Sequence, residues 1–173
     1  MDNITLEKIT YKNYIKVIWG LSLYRKQKSF VASNASSLAE AYVAITNGEV
    51  ALPFAICKNN KPIGFLMIGY SWGNDEELKD EHPDFIKIAK DSYCIWRFMI
   101  DKRYQGKGYG KKAMQLALDY IHTFPCGKAT YCWLSYEPEN EVAQKLYASF
   151  GFVERREFYK GGEGEEIPAI ITL

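Results

Sequence analysis

Residues 103–112 read RYQGKGYGKK, with glycines at 106, 108 and 110 and basic side chains at Arg103, Lys107, Lys111 and Lys112. Such a segment is suited to holding an anion. Glycine lets the backbone approach a ligand closely and take up positive φ. If a helix begins near Gly108, its first N–H groups have no intrahelical partner and are ready donors. Lys111 and Lys112 then fall in the first turn. The positive end of the helix dipole makes a cation there unfavourable by roughly half a kcal/mol. A bound phosphate reverses each of these costs, whereas a solvated basic loop would leave them standing.

Two familiar phosphate loops do not fit. A Walker A loop needs GxxxxGK followed by Ser or Thr, and Lys112 follows Gly110-Lys111 here, so no hydroxyl is present to hold magnesium. GYGKKA at 108–113 matches the GxGxxA dinucleotide pattern. That pattern needs its glycines at the strand end and an acid about 20 residues on, at the tip of the next strand. Here DKRYQ intervenes, Asp119 lies within the helix and Glu137 comes too late.

The elements that must position this loop are legible on both sides. YCIWRFMI (93–100) reads as a strand, and Ala113, Leu116, Ala117 and Tyr120 as one face of a helix ending before Pro125. KATYCWLSY (128–136) is a further strand. Ala143, Leu146, Tyr147 and Phe150 mark a helix closed by Gly151, with Asn140 placed to cap it. Upstream, ITLEKIT (4–10) is a strand. Tyr14, Val17, Ile18 and Leu21 mark one helix, and Leu38, Ala41, Tyr42 and Ile45 another, ended by Asn47-Gly48. ALPFAICKNNKPIGFLMIGYSW is two strands around a polar turn. Residues 73–91 are a polar, partly acidic insertion with a short helix after Pro83, and FVERREFY and EIPAIITL form a last strand pair. The order β-α-α-β-β-β-α-β-α-β-β predicts an α/β domain over 1–173: a mixed, mostly antiparallel sheet of about seven strands flanked by about four helices.

Composition narrows the function classes. The 173 residues are 47% hydrophobic and 15% aromatic, enough for a sizeable core. Lysine plus arginine number 22 against 21 acids, a net charge of +1, which argues against a nucleic-acid binder and makes the basic cluster local. DNITLEKIT after Met1 has no apolar signal segment, and no apolar run reaches the roughly 18 residues of a membrane span. A cytoplasmic protein with no membrane partner is expected. Cys57, Cys94, Cys126 and Cys132 form no CxxC pair, and His82 and His122 stand far apart, so reduced thiols and no metal are expected.

QGKGYG (105–110) matches [QR]-x-x-G-x-[GA], and the wider FMIDKRYQGKGYGKKAM resembles the strand, pyrophosphate loop and helix of the GNAT acetyltransferase superfamily. NEVAQKLYASFGF (140–152) resembles that family's N-x-x-A-x-x-L-Y-x-x-x-G-F helix. The two blocks are in register with one strand between them, and the element order agrees over nearly the whole chain. The resemblance implies a single GNAT-like domain in which two parallel strands, 93–100 and 128–136, splay to form an acetyl-CoA cleft. It also implies that the awaited anion is the pyrophosphate of coenzyme A. Backbone N–H groups of Gly106, Lys107, Gly108, Gly110 and Lys111 would hold it, within a loop that includes Gln105 and Tyr109. Arg103, Lys107, Lys111 and Lys112 would add charge. The main chain of Phe98, Met99 and Ile100 would pair with the pantetheine arm. Asn140 would touch the cofactor as well as cap its helix. Tyr147, by its spacing a core residue, becomes by resemblance the acid that protonates the departing thiolate. The resemblance also extends to a homodimer joined through sheet edges.

The chemistry demands a base. An alkylamine with a pKa of about 10.4 is almost wholly protonated at neutral pH, a deficit of about 4.6 kcal/mol for attack. Polyamine-acetylating relatives often carry an acid on the strand before the glycine loop, where Trp96 and Arg97 stand here. Glu137, just past the neighbouring strand, and His82 are the candidates left, each with a plain surface role as its alternative. DxRYQGKGxGKK echoes the bacterial spermine/spermidine and diamine branch. Asp75, Glu76, Glu77, Asp80, Glu81, Asp84 and Asp91 would draw a polycation. Tyr70, Trp72, Tyr93 and Trp96 could stack on its methylenes or face its ammonium groups, Trp72, Trp96 and Glu137 forming the acceptor site. An aminoglycoside, an amino sugar or a protein amine remains open as acceptor, as does an acetyl-CoA sensor without catalysis.

Overall fold

The computed structural model describes residues 2–72, 84–162 and 164–173. Seven strands form one sheet in the order β1-β2-β3-β4-β5-β7-β6, mostly antiparallel, with β4 and β5 as a parallel pair. The strands are β1 Ile4–Lys8, β2 Val50–Lys58, β3 Lys61–Tyr70, β4 Tyr93–Ile100, β5 Tyr131–Tyr136, β6 Val153–Glu154 and β7 Ile167–Thr172. Among the described residues five α-helices accompany them: α1 Tyr14–Trp19, α2 Asn34–Thr46, α3 Ile86–Ala89, α4 Tyr109–Ile121 and α5 Glu141–Ala148. The short helix expected after Pro83 is α3. None of these helices is long and apolar enough to cross a membrane. By its internal contacts the chain divides into two units, Met1–Ile68 with Arg97–Pro125, and Gly69–Trp96 with Cys126–Leu173.

In the first unit, β1 pairs antiparallel with β2 from Ile4↔Lys58 to Lys8↔Phe54. Asn59 and Asn60, both at positive φ, make the tight turn into β3. α2 is capped by the Ser33 side chain, which accepts from Ser36 N at 3.1 Å, and closes at Asn47 and left-handed Gly48. α4 buries Ala113, Met114, Ala117, Leu118 and Ile121 at helical spacing; of the face expected from the sequence, Ala113 and Ala117 are buried while Leu116 and Tyr120 are only half-buried.

In the second unit, β5 and β7 pair antiparallel along their whole length, Tyr131↔Thr172 to Tyr136↔Ile167. α3 lies over one face, where Phe85, Ala89 and Ile170 form a small core with Ile88, Trp133 and Phe158 packed against it. The strand expected over FVERREFY is shorter than its sequence suggests. Arg155 donates to the carbonyl of Pro168 at 2.8 Å, but Pro168 has no N–H to return the bond. The β6–β7 ladder therefore holds two pairs, Val153↔Ile170 and Glu154↔Ala169, and Arg156–Phe158 curls into a 3₁₀ turn.

Candidate active site

The glycine loop belongs to the first unit and is built outward from a buried acid. Asp101, at the end of β4, has no exposed surface and accepts from Ser22 N at 2.7 Å and from Arg103 N at 2.9 Å. Burial alone would raise its pKa. The Arg103 guanidinium and the two backbone donors outweigh that and hold it below the usual carboxylate range. Arg103 also donates to the Gly20 carbonyl at 2.6 Å. Gln105 Nε2 closes the loop onto β4 by donating to the Ile100 carbonyl at 2.8 Å, and it exchanges bonds with the Gln27 amide at 3.0 and 3.1 Å. Lys107 Nζ reaches back to the Arg103 carbonyl at 2.9 Å. The side chains of Arg103 and Gln105 thus hold the shape of the loop.

What the loop presents is backbone. Gly106 and Gly108 have φ of 72° and 76°, and a Cβ built on either would meet nothing within 4 Å. Gly108 is the N-cap of α4, without any side-chain cap, and the first turn contains no acid. Lys111 and Lys112 are exposed in that turn. Orphan N–H groups, open space above two left-handed glycines and uncompensated lysines are together the donor set for a phosphate group. The Tyr109 hydroxyl donates to Asp2 at 2.5 Å and accepts from Lys58 Nζ at 2.7 Å. On β4, Phe98 is half-buried, while Met99 and Ile100 are buried. The Met99 carbonyl lies against Gly64 of β3, where a Cβ would come within 2.4 Å of it. Arg97, standing near where an acid was sought, is paired with Glu40 of α2 at 2.9 Å.

The second unit contains Tyr147 and Glu137, the candidate acid and base. Asn140 accepts from Ala143 N at 3.2 Å as the cap of α5. About two turns further, Tyr147 is 7% exposed, its ring 5.7 Å from Tyr136 and 6.0 Å from Phe152. Burial first, then the charge of Glu166 and the neighbouring Tyr136, raises the Tyr147 pKa, so its phenol stays protonated at neutral pH. Glu137 is half-buried past the end of β5, and burial, then Glu166 and Glu139, raises its pKa above the ordinary carboxylate value. A raised carboxylate suits a base better than an ordinary one does. Glu166, which no sequence motif marks, accepts from the Ser135 hydroxyl. Behind Tyr147 lies a cavity of about 580 Å³ lined by Tyr136, Gln144, Phe152, Glu154 and Arg156 among others. There Glu154 accepts from Tyr136, from Gln144 at 2.8 Å and from Arg156 at 2.5 Å.

The aromatic candidates separate. Trp72 and Trp96 meet edge to face at 4.3 Å, and Trp72 continues to Trp133 at 6.4 Å, which meets Phe85 at 5.1 Å. Tyr70 and Tyr93 do not belong to this cluster. Tyr93 is wholly buried, and its hydroxyl binds Gly127 O and Cys126 N, each at 2.9 Å. Tyr70 packs against Tyr93 with the rings tilted by 48° and their centres 4.8 Å apart, and it donates to Lys128 O at 3.2 Å. Both anchor the segment before β5. Of the insertion's acids, Asp84 pairs with Lys87 at 2.8 Å and Asp91 accepts from Ser71 at 3.3 Å. Asp75, Glu76, Glu77, Asp80, Glu81 and His82 lie outside the described residues.

Comparison with known proteins agrees with the glycine loop and the α5 motif. Residues 21–152 match the acetyltransferase (GNAT) family. The chain is 28% identical over 163 residues to a spermine/spermidine N(1)-acetyltransferase of Bacillus subtilis, covering 93% of this chain and 95% of that protein. Among solved structures, an aminoglycoside acetyltransferase in complex with coenzyme A superposes with a TM-score of 0.71 at 18% identity, over 98% of this chain and 95% of the other. Spermidine N-acetyltransferase from Vibrio cholerae, in complex with CoA and spermine, gives 0.65 at 21% identity, over 98% and 95%. On the family match, which spans well over half of its length, the chain belongs to the GNAT acetyltransferase family.

Proposed function

We propose that this chain, acting as one domain over residues 1–173 in the cytoplasm, transfers the acetyl group of acetyl-CoA directly to a primary amine, and that the amine is a polyamine: spermidine, spermine or a diamine. The observation that carries the polyamine is the 28% identity, over 93% of the chain, to a spermine/spermidine acetyltransferase. In this reading the N–H groups of Gly106, Lys107, Gly108, Gly110 and Lys111 hold the pyrophosphate, with Gln105 and Tyr109 shaping the loop around them. The main chain of Phe98, Met99 and Ile100 runs beside the pantetheine arm, and Asn140 borders the cofactor at the start of α5. Tyr147, kept protonated by its burial, gives its proton to the leaving sulfur. Glu137 takes the proton that the ammonium must lose, and Trp72 with Trp96 receives the methylenes. Acetyl-CoA is the cosubstrate and no metal is used.

The test is thiol release from acetyl-CoA with spermidine, spermine, a short diamine, an aminoglycoside, an amino sugar and a peptide with a free N-terminus. The polyamines should give the highest kcat/KM. A higher value for any of the other three acceptors would overturn the polyamine assignment while leaving the acetyltransferase intact.

A further inference from the structure

The β5–β7 ladder ends with Tyr136 opposite Ile167. Glu137 follows Tyr136 and Glu166 precedes Ile167, so both carboxylates lie just past this last pair, and the charge of Glu166 acts on Glu137. Among the described residues no lysine or arginine pairs with either of them. Ser135, diagonal to Glu166 on the same face, donates its hydroxyl to that carboxylate and fixes its place. Trp133 shares this face by the two-residue period of β5, so the acid pair stands at the end of the surface carrying Trp133, Trp72 and Phe85.

A second, independent observation comes from α5. The Tyr147 side chain is more than nine-tenths buried, and its hydroxyl has no hydrogen-bond partner among the described residues. After burial itself, Glu166 is the foremost charge acting on both Tyr147 and Glu137. The acids and the aromatic floor share one face of β5, Tyr147 packs against Tyr136 on the other and feels the charge of Glu166, and a primary alkylammonium offers the acids and the floor the charge, the protons and the methylenes that they lack.

We propose that Glu166 is a catalytic residue of the transfer, forming with Glu137 a carboxylate pair that receives the acceptor's ammonium group and takes its proton. The proposal rests on the reading that the acceptor is a cationic amine and that Tyr147 is the acid. The ammonium gives one proton to the pair, and the neutral nitrogen forms its bond to the thioester carbonyl carbon. The C–S bond then breaks and the thiolate takes the Tyr147 proton. The second proton lost by the nitrogen as the amide forms restores Tyr147, and the pair releases its proton to water. One ammonium and one thioester thereby yield one amide, one thiol and one proton.

The experiment compares wild type with Glu166→Gln, Glu137→Gln, Glu166→Asp and Ser135→Ala, in the whole chain. It reads kcat/KM for spermidine, acetyl-CoA affinity by calorimetry, and the pH profile. Glu166→Gln should lower kcat/KM for spermidine by roughly 10²-fold, the usual scale of a positioned base, with acetyl-CoA affinity unchanged. Glu166→Asp should recover part of the loss, and Ser135→Ala should cost less than Glu166→Gln. The groups acting on Glu137 are Glu166 and Glu139, and those acting on Tyr147 are Glu166 and Tyr136. Removing the Glu166 charge relieves Glu137, so the acid limb of kcat/KM should move to lower pH, which a merely structural role would not produce. If Glu166→Gln fails to fold, Glu137→Gln decides, and full activity in it overturns the pair. A wild type active on spermidine beside an unimpaired Glu166→Gln overturns the pair alone. A wild type that binds acetyl-CoA but acetylates no cationic amine overturns the functional reading, and the pair with it.

Discussion

Arg103 grips both carboxylate oxygens of Asp101, two residues earlier, from Nε at 2.7 Å and Nη2 at 2.9 Å. Asp101 is fully buried, so this contact lets a charge persist in the core at the foot of the glycine loop. Asp101→Asn should destabilise the protein at pH 7, because a neutral amide with one acceptor oxygen cannot take the hydrogen bonds that both carboxylate oxygens accept from Arg103 and from Ser22 N. The folded-state pKa of Asp101 is depressed. Its stabilisation is therefore fully present above the unfolded value of about 4 and lost as pH falls through the folded value below it. Urea melts at pH 7 and pH 3 should show the variant losing less stability on acidification than wild type does. Parallel losses in the two proteins would mean that Asp101 is not the acid-sensitive group.

Gly108 combines left-handed φ with open space above its α-carbon. Gly108→Val should weaken acetyl-CoA binding by about tenfold or more, since the added bulk stands where the pyrophosphate meets the backbone. The variant should also lose about 1–2 kcal/mol of stability, because a β-branched residue is strained at that φ. Calorimetry on the folded variant separates the two effects, and equal affinities would remove the loop from cofactor binding.

Local chemistry made the glycine loop legible in the sequence. Its spacing, its basic flanks and the start of α4 at Tyr109 are all properties of neighbouring residues. The cap at Asn140 and the apolar face that buries Tyr147 were likewise readable from one helix pattern. What the sequence did not disclose is set by tertiary pairing. Gln105 and Arg103, which read as cofactor contacts, turn inward because Ile100, Gln27, Asp101 and Gly20 offer partners distant in sequence or hidden at a strand end. Tyr93 reads as a stacking platform, yet it is core because the segment 126–128 folds over its hydroxyl. Glu166 is the plainest case. Only the β5–β7 pairing brings it to Ser135 near the end of β5, and nothing within EEIPAI announces it. The shortened β6 was written in the sequence as Pro168, but its effect depends on which neighbour that missing N–H faces.

None of the four cysteines is in a disulfide; Cys57, Cys94 and Cys132 are buried and Cys126 is half-buried. Burial pushes the Cys57 thiol up to about 12 and raises Cys126 and Cys132 as well. Since the thiolate is the reactive form, an aromatic disulfide reagent at pH 8 should label native protein at one site at most, Cys126, and slowly. All four should react at once in denaturant. Rapid native labelling at two or more sites, located by peptide mass, would contradict the packing of β2, β4 and β5.

Tyr147 separates catalysis from packing. Its ring contacts Tyr136 and Phe152, which Tyr147→Phe retains, and no hydrogen bond of its hydroxyl among the described residues is lost. Stability should therefore change by less than about 1 kcal/mol. Acetyl-CoA affinity should stay near the wild-type value, while kcat on the best amine should fall by roughly 10²–10⁴, the contribution of a positioned acid. Burial and the Glu166 charge raise the Tyr147 pKa, so the wild type should keep its acid through neutral and mildly alkaline pH and show no loss of kcat from this group below about 10. Thermal melts, calorimetry and steady-state rates on one preparation settle the matter. A Tyr147→Phe variant with normal stability and unchanged kcat would make Tyr147 a core residue and leave the sulfur without its donor.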